Sequence, residues 1–429
     1  VLFRSQSPIP NPQSPIPIKV INSLNFLYKL IIIFIINLNH NKSYMSEKSK
    51  NIVFIIGIFE GHFSGCVEII KDLVSLGHNI TCYVLDTFAQ RLEKTGATLK
   101  IYSIDKSDIH LHPKAPKIAF NMFLMQKAYG GILAEAVKEQ AKTDILVIDR
   151  FFDGRELNKI FKAEKVIILY TCILNTQKSE TFDKFSQQRT AVFEPINKRF
   201  NLQIRDFLKL VFLADAEYKL VLTSKQFNLE SDKLSDDSYF FIGPSLENRV
   251  MDVPFDFKKD ENKKLIYISL GTVFNNNMDF YKNCINAFRD SKEYQVLMSV
   301  GRSTNIKDLG DLPENIHAYN YLPQVQVLEY TDIFISHGGT NSVYEALFKN
   351  IPLILIPQEG DQFAVSSNVE KNEAGFVLNK NDITPEVLVS SVKKMEENKE
   401  KYLVGVKKLV ESFNEARNGR KNVYEKLFS

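Results

Sequence analysis

Two sets of residues in this chain have types and spacings that could do chemistry. The denser set lies between Ile333 and Gln362, IFISHGGTNSVYEALFKNIPLILIPQEGDQ, and holds His337, Gly339, Thr340, Asn341, Ser342, Glu345, Asp361 and Gln362. Backbone N–H groups left free at the start of a helix, together with the helix dipole, favour an anion such as a phosphate. His337 and Ser342 can add side-chain hydrogen bonds to that anion, and the acid–amide pair Asp361–Gln362 can grip sugar hydroxyls. The second set is a pair far apart in sequence, His62 and Asp149. An imidazole can accept a hydroxyl proton at neutral pH, and a carboxylate behind it can hold its tautomer and stabilise the imidazolium that forms.

The elements that must position these groups are legible as apolar runs broken by glycine and proline. Ile333–Ile335 reads as a strand buried on both faces, followed by a turn through Ser336, His337, Gly338 and Gly339. A helix is expected from Thr340, ending near Asn350–Pro352, and Leu353–Ile356 forms the next buried strand. Asp361 and Gln362 then emerge beyond Pro357, at the carboxyl end of that strand, where open α/β sheets bind ligands. In the N-terminal half, Asn51–Ile56 reads as a strand that leads through a loop, Gly57 to His62, into a helix carrying Val67, Ile69, Ile70 and Leu73. His62 is therefore expected in a loop at the carboxyl end of that strand. Asp149 ends the strand Asp144–Ile148; a plainer reading makes it the cap of the following helix. Gly57 and Gly61 do not make a dinucleotide-binding fingerprint.

The stretch Tyr321–Gln362 resembles the sugar-donor signature of the UDP-glycosyltransferases, W-x-P-Q, then H-x-G-x-N-S-x-x-E, then D/E-Q. Tyr321-Leu322-Pro323-Gln324 stands for the first part, with tyrosine in place of the tryptophan that stacks on uracil; the chain contains no tryptophan. Tyrosine keeps a π-face of smaller area. The resemblance implies uracil contacts for Tyr321 and Gln324, diphosphate contacts for His337, Asn341 and Ser342, a ribose contact for Glu345, and sugar contacts for Asp361 and Gln362. Thr340 replaces a tryptophan common in plant members, and the His-Gly-Gly form is closer to bacterial, fungal and animal branches. Upstream, Leu265–Thr272, LIYISLGT, resembles the family's V-S-F-G-S loop, which implies that Gly271 and Thr272 close over the phosphates. Gly61-His62 resembles the start of the family's G-H-x-x-P, whose histidine is the general base, and Asp144–Phe152 resembles the V-V-D-x-F segment of its partner. Gly65 stands at the proline position, which predicts a looser loop.

The fold class expected is α/β: two facing Rossmann-like domains of the GT-B type, with parallel sheets and helices on both faces. A chain of 429 residues, 44% of them apolar, can bury two such cores. The expected division is an acceptor-binding domain over 49–242, with strands near 51–56, 80–85, 145–148, 166–169, 219–223 and 239–242. A polar, charged linker over 243–264, a UDP-sugar domain over 265–400, and a C-terminal helix over 401–429 crossing back to the first domain follow. Residues 1–48 read as a non-core extension, and Val1–Tyr44 as translated upstream or expression-derived sequence with Met45 the true start. The first 44 residues hold four of the 54 basic residues and none of the 51 acidic ones, leaving 50 against 51 in the remainder. A body so nearly neutral gives no sign of nucleic-acid binding.

The apolar run Leu24–Leu38 is broken by Asn25, Lys29 and Asn37 and is shorter than the ~20 residues that span a bilayer, so no stable membrane span is expected; a signal sequence or membrane anchor there is the alternative to the upstream-sequence reading, which is preferred. Cys66, Cys82, Cys172 and Cys284 lack metal spacing and read as buried thiols of a reducing, cytoplasmic compartment. No Asp-x-Asp pair and no His/Cys cluster suggests a metal, and no cofactor is expected, the UDP-sugar being a co-substrate. Taken together, the resemblance implies an inverting, metal-independent transfer of a hexose, glucose first, from UDP to a hydroxyl of a small lipophilic acceptor. Phe120–Met125 and Phe182–Phe212 are candidates for lining the acceptor pocket or for ordinary helix packing. Two rivals stand beside this reading: an isomerase of the UDP-N-acetylglucosamine 2-epimerase type, and a non-catalytic nucleotide-sugar-binding subunit.

Overall fold

The computed structural model describes residues 49–105, 117–139, 142–171, 173–174, 190–204, 216–228, 234, 237–246, 255, 257–272 and 275–429. Lys50–Ser429 form one compact unit. The expected apolar runs fold as two parallel sheets. The first contains β1 (Asn51–Ile55), β2 (Asn79–Leu85), β3 (Thr98–Tyr102), β4 (Ile145–Asp149), β5 (Lys165–Tyr170), β6 (Tyr218–Val221) and β7 (Tyr239–Phe241), in spatial order β3-β2-β1-β4-β5-β6-β7. The second contains β8 (Lys264–Ser269), β9 (Tyr294–Ser299), β10 (Ile316–Tyr319), β11 (Ile333–Ser336), β12 (Leu353–Leu355) and β13 (Gly375–Val377), in order β10-β9-β8-β11-β12-β13.

Each sheet is buried on both faces because its central strands are apolar at nearly every position, the polar residues falling at strand ends. In β1, Val53 and Ile55 join one core cluster while Ile52 and Phe54 join the other. In β8, Ile266 and Ile268 face one way, Leu265 and Tyr267 the other. Around the first sheet lie α1 (Glu60–Ser75), α2 (Asp86–Leu92), α3 (Lys117–Lys138), α4 (Gly154–Phe161) and α5 (Glu194–Phe200). Around the second lie α6 (Met278–Phe288), α7 (Gln324–Leu328), α8 (Thr340–Phe348), α9 (Gln362–Lys371) and α10 (Pro385–Glu397). Helices α1 and α3 cover opposite faces of the first sheet, and α6 and α8 opposite faces of the second. In both sheets the strand order reverses beside the first strand, between β1 and β4 and between β8 and β11. Ligands of open parallel sheets sit outside the carboxyl ends of the strands at that reversal.

Three expectations need correction. The helix after β1 starts at Glu60, so His62 lies in the first turn of α1 rather than in a loop. Gly65 does not loosen anything: it is buried inside α1, where a Cβ would come within 2.9 Å of Leu222 Cδ2 and 3.2 Å of Thr171 Cγ2. The single C-terminal helix is two, α11 (Lys399–Asn418) and α12 (Arg420–Phe428), meeting at Gly419.

The break at Gly419 has a physical use. Val406, Leu409 and Phe413 of α11 pack in a core cluster of the second sheet, whereas Tyr424, Leu427 and Phe428 of α12 pack in one of the first. Arg420 sits at the change of direction, 6% exposed, donating to the carbonyls of Ile242, Gly243 and Pro244 and pairing with Glu68 at 3.0 Å. Arg417 adds a 2.7 Å ion pair to the same Glu68 carboxylate. Burial alone would raise the Glu68 carboxyl, but Arg420 and then Arg417 outweigh it and hold it below its ordinary value. Thus α1, which carries His62 near its start, is tied further along to the place where the chain crosses between the sheets.

Candidate active site

A cleft of about 680 Å³ opens where the reversal points of the two sheets meet. From the first sheet it is lined by Phe59, Glu60, Gly61, His62 and Thr171. Of the residues expected on the second sheet, Gly271, Thr272, Tyr321, Gln324, His337, Gly339, Thr340, Asn341, Ser342, Asp361 and Gln362 line it. Asp149 and Glu345 stand one layer behind, each hydrogen-bonded to a lining residue. Residues as far apart in sequence as Phe59 and Gln362 therefore converge on one space.

On the first-sheet side, Asp149 ends β4 with 1% of its surface exposed. Its Oδ2 accepts from His62 Nδ1 at 2.7 Å, and its Oδ1 accepts from the Phe151 N–H at 3.0 Å. Asp149 does not cap the following helix; Asp153 does, accepting from the Glu156 N–H. The His62 ring also stacks on Phe151, with centroids 4.4 Å apart. This close meeting of α1 and β4 requires Gly57, because a Cβ there would lie 2.8 Å from His62 Cβ and 2.9 Å from Asp149 Oδ2. A carboxylate on Nδ1 puts the ring hydrogen on that nitrogen and leaves Nε2 as the acceptor.

On the second-sheet side, α8 starts at Thr340 directly after β11, and its first turn faces the cleft. His337 is held between two glycines. A Cβ on either Gly271 (φ +76°) or Gly339 would fall 2.4 Å from His337 Nε2, so both positions must lack one. Burial lowers the imidazole to about 4, against an opposing pull from Asp361, so His337 is neutral near pH 7. Its Nδ1 is buried without a hydrogen-bond partner among the described residues. Gln324 Nε2 donates to Glu345 Oε2 at 2.6 Å and to Ser342 Oγ at 3.0 Å, which leaves the Ser342 hydroxyl hydrogen available. Thr340 Oγ1 donates to Asp361 Oδ2 at 3.3 Å. Gln362 Oε1 accepts the N–H groups of Gln358 and Glu359, which fixes the loop ahead of α9 and leaves the amide NH2 as the free end of the side chain. Asn341 Nδ2 donates across the cleft to the Gly61 carbonyl at 3.4 Å.

Several lining residues carry no motif and were not expected. Arg302 follows β9 with its guanidinium carbon 5.7 Å from the centre of the Tyr321 ring, and its side chain makes no ion pair among the described residues. The strand-then-glycine pattern Val296–Gly301 was the signal available for it, the same pattern that marks Gly271. Asn275 and Thr171 also face the cleft, as does Ser269 of the Leu265–Thr272 segment. Phe120–Met125 does not: Met122, Leu124 and Met125 are core residues of α3. Of Phe182–Phe212, residues 182–189 and 205–212 lie outside the described residues; Phe193 and Ile196 are core. Cys66, Cys82 and Cys284 are buried and free, and Cys172 lies outside the described residues. No group of three or more His, Cys, Asp or Glu that could hold a metal ion occurs among the described residues, and no helix there is long and apolar enough to cross a membrane.

Comparison with known proteins bears on the family and the fold. The profile of the glycosyltransferase family 28 C-terminal domain matches residues 265–421. The NDP-glycosyltransferase YjiC of Bacillus subtilis is 30% identical over 83% of this chain and 91% of its own length. An uncharacterized UDP-glucosyltransferase of the same organism, YojK, is 26% identical over 84% and 93%. Among solved structures, the glycotransferase of kitacinnamycin superposes with a TM-score of 0.73 at 23% identity, over 89% of this chain and 99% of that one. The calicheamicin glycosyltransferase CalG4 superposes with a TM-score of 0.67 at 21% identity, over 89% and 98%; both likenesses speak to the fold. By sequence and by architecture, the chain belongs to the UDP-glycosyltransferase family and is a glycosyltransferase of the GT-B fold.

Proposed function

We propose that the protein transfers a hexose, glucose first, from a UDP-sugar to a hydroxyl of a small lipophilic acceptor, with inversion and without a metal. The observation that carries this reading is the opposition of two built sites across one cleft: the His62–Asp149 pair on the first sheet and the start of α8 with His337 on the second.

In this reading the diphosphate lies at the free N–H groups of α8, beside Gly271, Thr272, Ser342 and Asn341. Because His337 is neutral, it contributes a ring dipole rather than a charge, and the helix start provides most of the stabilisation of the departing UDP. Uracil stacks on Tyr321, and Gln324 is held by Glu345 in position to meet its edge. Asp361 and Gln362, beside the start of α8, hold the sugar hydroxyls. His62 Nε2 takes the acceptor proton while the acceptor oxygen bonds to the anomeric carbon. The bond from that carbon to the β-phosphate oxygen breaks, and its electron pair leaves with UDP. Attack from the first-sheet side, opposite the leaving group, turns an α-linked donor into a β-glycoside. The names of the relatives, a UDP-glucosyltransferase and an NDP-glycosyltransferase, support a nucleotide-sugar donor.

The test is an acceptor screen of sterols, phenols and polyketides with UDP-glucose, run with and without chelator and read by mass gain and UDP release. A β-glucoside formed equally well in chelator supports the whole reading. Activity lost with chelator removes the metal-free part, and turnover of the donor with no acceptor would point to an isomerase instead.

A further inference from the structure

Thr171 follows β5, the neighbour of β4, so its side chain arrives at the sheet edge where Asp149 ends. It is 4% exposed and still lines the cleft. Its Oγ1 lies 3.0 Å from His62 Nδ1, the same nitrogen that Asp149 Oδ2 holds at 2.7 Å. A carboxylate oxygen brings no hydrogen, so the hydrogen between Asp149 and His62 sits on Nδ1. With Nδ1 the donor, Thr171 Oγ1 can only accept from it, and the one N–H is shared between two oxygens. The approach depends on the departure from the family pattern at position 65. Thr171 Cγ2 and Cβ lie 3.2 and 3.4 Å from where a Gly65 Cβ would be, so a larger residue in α1 would push Thr171 off the histidine.

We propose that Thr171 is a positioning residue for the reaction, a second acceptor for the Nδ1 hydrogen of His62 that fixes the ring against rotation and favours its protonated form. This rests on the reading of His62 as the base. An acceptor oxygen binds the N–H of an imidazolium more strongly than that of a neutral imidazole. Removing it therefore weakens the base and shifts its protonation to lower pH.

The experiment compares wild type, Thr171→Val, Thr171→Ser and Gly65→Ala with UDP-glucose and a steroid alcohol, an aliphatic hydroxyl that stays protonated across the range. His62→Ala serves as control. Thr171→Val keeps the shape and loses the oxygen; it should lower kcat roughly three- to tenfold. It should also move the acid limb of the kcat/KM profile to lower pH. Thr171→Ser should restore both, and Gly65→Ala should behave like the valine variant although the hydroxyl is still present. An acid limb that stays in place in Thr171→Val, or a serine variant no better than valine, overturns the inference. A change confined to KM for the donor overturns it as well. An active His62→Ala enzyme would instead remove the base assignment itself, so the two failures are distinguishable.

Discussion

Gly57 offers the sharpest test of how the base is assembled, because one methyl group there acts on both partners at once. Its φ lies outside the left-handed range, so alanine is acceptable to the backbone and only contacts decide the outcome. The added Cβ would lie 2.8 Å from His62 Cβ, 2.9 Å from Asp149 Oδ2 and 3.0 Å from Asp149 Cγ. Carbon atoms normally stay about 3.5–4.0 Å apart, so α1 and the end of β4 must separate by roughly half an ångström or more. The His62–Asp149 bond starts at 2.7 Å, and that separation takes it past the range of a good N–H···O bond. A hydrogen bond to a charged group contributes about 1.5–3 kcal/mol, so kcat should fall roughly tenfold to a hundredfold. Steady-state rates with UDP-glucose and saturating acceptor measure the loss, and calorimetry with UDP checks that the second-sheet site is intact. Wild-type kcat in Gly57→Ala would refute the claim that this glycine makes room for the pair.

Three further outcomes are expected. The unfolded chain takes up a proton at His337 near pH 6.5, whereas the folded protein does so only at about 4, so stability should fall as pH drops through that window. Melting temperatures at about pH 7 and about pH 5 should converge more in His337→Gln than in wild type; equal losses would contradict a buried neutral ring. Arg302→Ala removes a cation–π contact of roughly 1 kcal/mol that steadies the Tyr321 ring, and should weaken UDP binding up to about fivefold by calorimetry; unchanged affinity would mean that Tyr321 needs no such support to hold the uracil. Phe428→Ala removes a fully buried ring from the face of the first sheet and should cost about 3–5 kcal/mol in denaturant unfolding, and a smaller effect than Leu→Ala at an exposed site would mean α12 is not part of that core.

The central strands were readable from the sequence because a strand buried on both faces must be apolar throughout, as Asn51–Ile55 and Ile333–Ser336 nearly are. The edge strands β3, β10 and β13 were not, since Thr98–Tyr102 buries only Tyr102 fully and the other two have three or four residues. The donor-side residues were legible as a group because six of them fall within one strand–helix–strand unit and Asp361 and Gln362 lie just beyond it. What the sequence hid was whatever depends on contact between distant segments. Gly57 belongs to no fingerprint in the sequence, and only the fold shows it as the gap that admits Asp149. Gly65 looked like a missing proline, and its lack of a side chain brings Thr171 to the histidine. Arg302 belongs to no motif, and only the position of β9 beside β8 brings it to the cleft.

The passage of α12 onto the first sheet has a consequence for how the protein is made. Tyr424, Leu427 and Phe428 complete a face that otherwise consists of residues between Ile52 and Ile242. During translation that face emerges from the ribosome early and stays uncovered until residues 420–428 follow, long after the strands beneath them. The N-terminal half is thus born with an exposed greasy groove, and a chaperone that shields it in the interval would raise the yield of folded enzyme.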